Sequence, residues 1–175
     1  FKEDILEVKY KGQHIADILE MTIEDALNFF KEDEKNRIAK KITEKLTPLF
    51  DVGLGYVKLG QSSNTLSGGE AQRIKLASYL AKGDRHQKTL FLFDEPTTGL
   101  HFHDINKLLY AFNALIDQGH SLLIIEHNPD VIKCADWIID LGPEGGKNGG
   151  HLLFEGTPQD LVKSKKSVTA EYIKP

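Results

Sequence analysis

The segment TLFLFDEPTTGLH, residues 89–101, decides how the rest of the chain is read. Its apolar run Leu90–Phe93 ends abruptly at Asp94 and Glu95. The pattern predicts a buried strand that delivers two carboxylates to its C-terminal edge, where ligands bind in open α/β sheets. Asp94 has the chemistry of a Mg²⁺ ligand acting through water, and Glu95 that of a base which polarises a water for attack on a phosphoryl group. Taken alone, the same residues equally describe a strand ending in a solvated acidic turn.

Downstream, SLLIIE at 121–126 repeats the geometry and places His127 just past the next carboxyl edge. Neighbouring strands end close together, so His127 is placed to reach a γ-phosphate beside Glu95; a histidine at a strand end is also a common surface residue. Further strands are expected in DWIIDL (136–141) and HLLFE (151–155), and helices over about 69–81 and 104–117, after Asn128-Pro129 and after Thr157-Pro158. Apolar strands separated by helices give the fold class α/β, with a mostly parallel sheet flanked by helices.

Upstream, TLSGGEAQRIKLA at 65–77 sets a serine and two glycines directly before a helix. A helix N-terminus carries unpaired backbone N–H groups and a positive dipole end. The lack of side chains at Gly68 and Gly69 lets a phosphate approach that backbone, with the Ser67 hydroxyl as a further donor. A serine-capped helix behind an incidental Gly-Gly loop is the alternative.

Near the N-terminus, Leu6, Val8 and Tyr10 alternate with charged residues and predict a short half-buried strand ended by a turn at Lys11-Gly12. Thr22 with Asp25 three residues on predicts a capped helix carrying Ile23, Ala26, Leu27 and Phe30 on one face. A second helix carries Ile38, Ile42, Leu46 and Leu49; its Lys40, Lys41 and Lys45 fit a solvated face or contacts to a nucleic-acid backbone. After Pro48 the texture becomes rich in Gly and Ser, which sets an expected boundary between an N-terminal strand and helical arm, 1–48, and a second part, 49–175.

Composition narrows the function classes. The net charge of −4 argues against a generally basic nucleic-acid binder but leaves room for a local basic strip. No apolar run approaches the roughly 18 residues of a membrane span. The lone Cys134 fits a reduced, cytoplasmic setting and no thiolate metal site. The start at Phe1, with no signal-peptide pattern, suggests a fragment.

In this order, the motifs resemble those of the ATP-binding-cassette family. LSGGE at Leu66–Glu70 looks like its signature motif, LFLFDE like its Walker B strand with the catalytic glutamate, TTGLH around Gly99 and Leu100 like its D-loop, and His127 like its switch histidine. The resemblance implies ATP and Mg²⁺ as cofactors, Glu95 and His127 as catalytic residues, and Asp94 holding Mg²⁺ through water. It implies nucleotide contacts from Leu66, Ser67, Gly68, Gly69, Glu70, Gly99 and Leu100.

Within the family, DVGLGYVKLGQSSNTLSGGEAQRIKLA, FDEPTTGLHFHDI, IIEHNPDVIKCADWIIDLGPEGGKNGG and GTPQDLV, with LEVKYKGQHIADILEMTIEDALNFF before them, resemble the damage-sensing ATPases of bacterial nucleotide excision repair. That branch implies damaged double-stranded DNA, a second copy of the same protein and a further repair protein as partners, and no membrane. A paralogue in antibiotic self-protection is the main alternative; a transporter ATPase is disfavoured, because TTGLH stands where transporters commonly carry SALD.

GPEGGKNGG at 142–150 imitates a P-loop, but only three residues separate Gly142 from Gly146 and Asn148 follows Lys147 where a hydroxyl belongs. With no P-loop and no CxxC pair, the resemblance implies that the nucleotide cradle and the zinc module of such a protein lie upstream of Phe1. The isolated segment is then expected to be inactive.

Overall fold

The computed structural model describes residues 1–33, 35–81, 87–146 and 149–174. The chain divides into two compact units, Phe1–Ile124 and Ile125–Pro175.

The first unit opens with four helices: α1 (Glu3–Leu6), α2 (Ile15–Glu20), α3 (Ile23–Lys31) and α4 (Arg37–Asp51). A single 3-10 turn at Ser63–Thr65 leads into α5 (Gly68–Leu80), and β1 (Leu90–Asp94), α6 (Phe102–Asp117) and β2 (Ser121–Ile125) follow, β2 ending at the division. β1 and β2 are hydrogen-bonded neighbours joined through α6, the helical crossover that a parallel pair requires.

One core unites α2 to α6 with β1 and β2. α3 buries Ile23, Ala26, Leu27 and Phe30, the face its sequence specifies, and the Thr22 side chain accepts from Asp25 N at its start. α4 turns Ala39 and Leu46 inward while Ile38 stays 69% exposed. The expected boundary at residue 48 lies inside α4, whose buried residues share a core with Leu76 of α5, Phe93 of β1 and Leu108 of α6. Lys40, Lys41 and Lys45 are exposed on α4.

Phe91 and Phe93 face this core, whereas Leu90 and Leu92 of β1 and Leu123 of β2 are 51–68% exposed. Within this unit the sheet is therefore covered on one face only. His120 is buried just before β2, where its Nδ1 accepts from Thr89 N (3.2 Å) and its Nε2 lies 3.3 Å from the Tyr79 hydroxyl. With Nδ1 accepting, Nε2 carries the proton and donates to Tyr79, so this histidine pins β1 to β2.

The expected strand at Leu6–Tyr10 does not form. Its first residues close helix α1, Val8 is 74% exposed, and Tyr10 makes only an isolated bridge to Gln13. Alternation alone cannot build a strand without a neighbour to take its hydrogen bonds. The turn is where the sequence puts it: Lys11 and Gly12 take φ of 50° and 83° between the bridged residues. Two positive φ angles in a row suit a tight hairpin turn. α2 was not legible beforehand; His14 caps it, accepting from Asp17 N while the Asp17 carboxylate accepts from His14 N.

The second unit holds α7 (Pro129–Lys133), β3 (Ile138–Gly142), β4 (His151–Gly156), α8 (Pro158–Leu161) and α9 (Thr169–Tyr172). β3 and β4 pair antiparallel as a two-stranded sheet of their own, which an expectation of a mostly parallel sheet allows. Leu161, Ala170 and Ile173 form a small core with Ile132, Ile138 and Phe154 packed against it. Lys147 and Asn148, on which the false P-loop reading turns, lie outside the described residues.

Candidate nucleotide site

Ser67 is the N-cap of α5. Its Oγ accepts from Glu70 N (3.2 Å), and the Glu70 carboxylate turns back to accept from Ser67 N (2.7 Å). This reciprocal cap fixes the entry of the chain into the helix. Gly68 is exposed, and a Cβ there would meet nothing within 4 Å. Gly69 is buried, and a Cβ there would come within 3.2 Å of both an Arg73 nitrogen and the Thr98 carbonyl oxygen. The two glycines thus serve different ends: Gly68 opens the backbone toward solvent, and Gly69 lets the helix pack on the loop behind β1. Leu66, half-buried, packs against the core at the mouth of the same turn.

β1 carries Asp94 exposed at its last position, with Glu95 exposed immediately beyond. Glu95 has φ of 47°, a left-handed conformation that costs a non-glycine residue about 1–2 kcal/mol. Its carbonyl accepts from Thr98 N (3.1 Å), and the Thr98 hydroxyl reaches its Oε2 (3.4 Å). Gly99 follows with φ of 78° and open space around it, a conformation glycine adopts without strain. Leu100 packs on the main core, within reach of the space beside Gly53.

Three residues that the sequence did not single out hold these pieces together. The Gln72 amide reads the backbone of Asp94 as a strand would, donating to its carbonyl (2.9 Å) and accepting from its N–H (3.2 Å). Arg73 is 0% exposed; its Nη1 donates to the carbonyls of Pro96 (2.6 Å) and Thr98 (3.3 Å), and its Nη2 to the Tyr56 hydroxyl (3.3 Å). Tyr56 in turn donates to Glu70 Oε1 at 2.6 Å. A signal did exist: Gly69, Arg73, Leu76 and Ala77 form the buried stripe of α5, with a charge where an apolar residue belongs.

The electrostatics follow this wiring. The hydrogen bond from Tyr56 holds the Glu70 carboxyl below its ordinary value, with a further contribution from Ser67 and partial burial working the other way. Burial pushes Arg73 down, opposed by Tyr56, Glu70 and Asp104. Burial, then the bond to Glu70, raises the Tyr56 phenol.

His127 belongs to the second unit. It is exposed just after β2, and the Glu126 carboxylate accepts from the backbone N–H of His127 (2.9 Å) and Asn128 (3.0 Å), shaping the turn into α7. Among the described residues no group of three or more His, Cys, Asp or Glu could hold a metal ion by itself. Mg²⁺ is ordinarily held by one or two carboxylates together with water and substrate phosphates, so the single exposed Asp94 fits an ion that arrives with a nucleotide.

A profile of the ABC transporter family matches residues 4–98. The chain belongs to that family. Within the ABC transporter family it is 53% identical over 174 residues to UvrABC system protein A of Agrobacterium fabrum, which covers 99% of this chain and 17% of that relative. It is 54% identical to UvrABC system protein A of Vibrio cholerae over 175 residues, 100% of the chain and 18% of that relative. The chain therefore spans under a fifth of the length of these curated relatives.

Among solved structures, UvrA2 from Deinococcus radiodurans matches with a TM-score of 0.77 and 41% identity over 99% of the chain and 20% of that structure. A bacterial Atm1-family ABC exporter with ATP bound matches at a TM-score of 0.50 and 23% identity over 88% of the chain and 26% of that structure, a likeness of fold alone. No helix among the described residues is long and apolar enough to cross a membrane.

Proposed function

We propose that the chain is the signature-bearing part of the second ATPase unit of a UvrA-type protein, the cytoplasmic damage-recognition ATPase of bacterial nucleotide excision repair. ATP binding and hydrolysis in that protein gate its grip on damaged double-stranded DNA, its pairing with a second copy and its loading of the partner UvrB. The observation that carries the reading is the packing of the Ser67–Gly69 turn against the loop that presents Asp94 and Glu95. The open apolar face of Leu90, Leu92 and Leu123 supports it too, as such a face suits a segment completed by further protein. Residues 1–48 read as the helical arm of the signature part, and 49–175 as the signature-to-switch part of the ATPase unit. The nucleotide cradle and zinc module belong to other parts of the protein.

In this reading Ser67, Gly68 and Gly69 present backbone N–H groups and a hydroxyl to a γ-phosphate held by another ATPase unit, with Leu66 and Glu70 shaping the turn. Asp94, Glu95 and His127 act on a different ATP, next to which Gly99 and Leu100 form the D-loop. Glu95 accepts a proton from the attacking water, and His127 contacts the γ-phosphate. Bound Mg²⁺ supplies charge neutralisation on the phosphate oxygens, with Asp94 holding it through water. The isolated chain, with half of each grip, neither binds ATP tightly nor hydrolyses it.

The test is an electrophoretic comparison of the full-length protein on lesion-bearing and intact duplexes, with and without ATP and UvrB. ATP-dependent preference for the lesion, followed by transfer of UvrB, is expected. ATP hydrolysis without lesion preference or UvrB transfer would contradict the repair assignment and favour a paralogue.

A further inference from the structure

Glu95 is flanked on the chain by residues whose backbone is gripped from α5. Gln72 takes both polar groups of Asp94, and Arg73 takes the carbonyls of Pro96 and Thr98. Between these anchors stands the only non-glycine residue of the segment with a positive φ, at 47°. A left-handed glutamate relaxes toward an ordinary conformation unless its surroundings over-determine it, and the relaxation would swing its side chain away. The grip is demanding in its own right. A guanidinium at 0% exposure must be repaid by good partners, and among the described residues Arg73 Nε has none. Leucine or methionine would fill the same space on the helix without that burden, so the charge has a task other than packing.

We infer that Gln72 and Arg73 are positioning residues: together they lock Glu95 in its left-handed backbone conformation and so aim its carboxylate. The inference rests on the proposed role of Glu95 as the group that polarises water. It carries a further consequence. Ser67–Gly69 lie one turn before the lock on the same helix, and Arg73 is tied to their cap through Tyr56 and Glu70. A nucleotide that shifts the signature turn would thereby move the water-polarising group of another nucleotide's site. The lock is the physical link between the two.

The experiment measures kcat and KM for ATP, with the melting temperature of each variant, for Gln72→Leu, Arg73→Met, Arg73→Lys and Glu95→Gln in the full-length protein whose other ATPase unit already carries glutamine in place of its own water-polarising glutamate. Misplacing a reacting group by about 1 Å costs up to about a hundredfold in rate, so Gln72→Leu and Arg73→Met are expected to lower kcat by at least about tenfold. KM should stay within about threefold, because nucleotide binding is not the function disturbed. Lysine reaches one of the two carbonyls but lacks the fork, so Arg73→Lys should recover part of the loss. Gln72 is half-buried and its variant should melt with the parent, which keeps the test open if Arg73→Met fails to fold. Retention of kcat in folded Gln72→Leu overturns the lock, as does a rise in KM with kcat unchanged. If Glu95→Gln itself leaves turnover intact, the role of Glu95 fails; if only Gln72 and Arg73 prove silent, the lock alone fails.

Discussion

Replacing Glu95 with glutamine in the full-length protein is expected to slow ATP turnover at its site by about a hundredfold or more, the usual contribution of a positioned general base. ATP affinity should change little. Glutamine preserves the length of the side chain and its ability to accept from the Thr98 hydroxyl, which lies 3.4 Å from Glu95 Oε2. The amide cannot take a proton from water, so only the step that needs a base is lost. Turnover at a second ATPase unit would mask the change, and the measurement therefore uses a background in which the equivalent glutamate of that unit is already glutamine. Steady-state hydrolysis equal to that of the background would remove Glu95 from the mechanism.

The second large effect separates two adjacent glycines. Gly68→Val should leave the fold intact, since the added Cβ meets nothing within 4 Å and the backbone is not left-handed. It should nonetheless lower nucleotide-dependent turnover by about a hundredfold, a loss of the size seen when a backbone donor is kept from a developing charge. Gly69→Val should fail differently. Its Cβ would press on Arg73 and on the carbonyls of Thr98 and Glu95, at 3.2–3.4 Å, so both stability and turnover should fall, with about 1–3 kcal/mol lost to overpacking. Thermal melting and turnover, read side by side, distinguish the two. Normal turnover in a stable Gly68→Val protein would return the Gly-Gly pair to an incidental loop before a capped helix.

The site's outline was legible because it is local. An apolar strand ending in two acids, and a serine with a glutamate three residues on before a helix, are written within a few residues of each other, and the structure forms β1 and the Ser67–Glu70 cap there. The buried face of α3 was legible for the same reason. The lock was not: Gln72 and Arg73 are bonded to residues 22 to 25 positions away, and nothing local says which backbone groups they meet. Ile38 lies on α4 as the sequence places it but stays exposed, because the helix buries only Ala39 and Leu46 fully, a choice that packing makes and spacing does not show. The antiparallel pairing of β3 with β4 has a signal in the length of their connection. Only the eight residues 143–150 connect Gly142 to His151, and a parallel pair needs a crossover of about a dozen residues or more.

The central claim is that the Ser67 turn and the Glu95 carboxylate serve two different ATP molecules. Its most direct measurement is the structure of the full-length protein with Mg²⁺ and a non-hydrolysable ATP analogue. One analogue should have its γ-phosphate within hydrogen-bond distance of Ser67 and the Gly68–Gly69 backbone, and a second should have Asp94, Glu95 and His127 around its γ-phosphate. A single nucleotide contacting both the Ser67 turn and the Glu95 carboxylate of the same chain segment would contradict it.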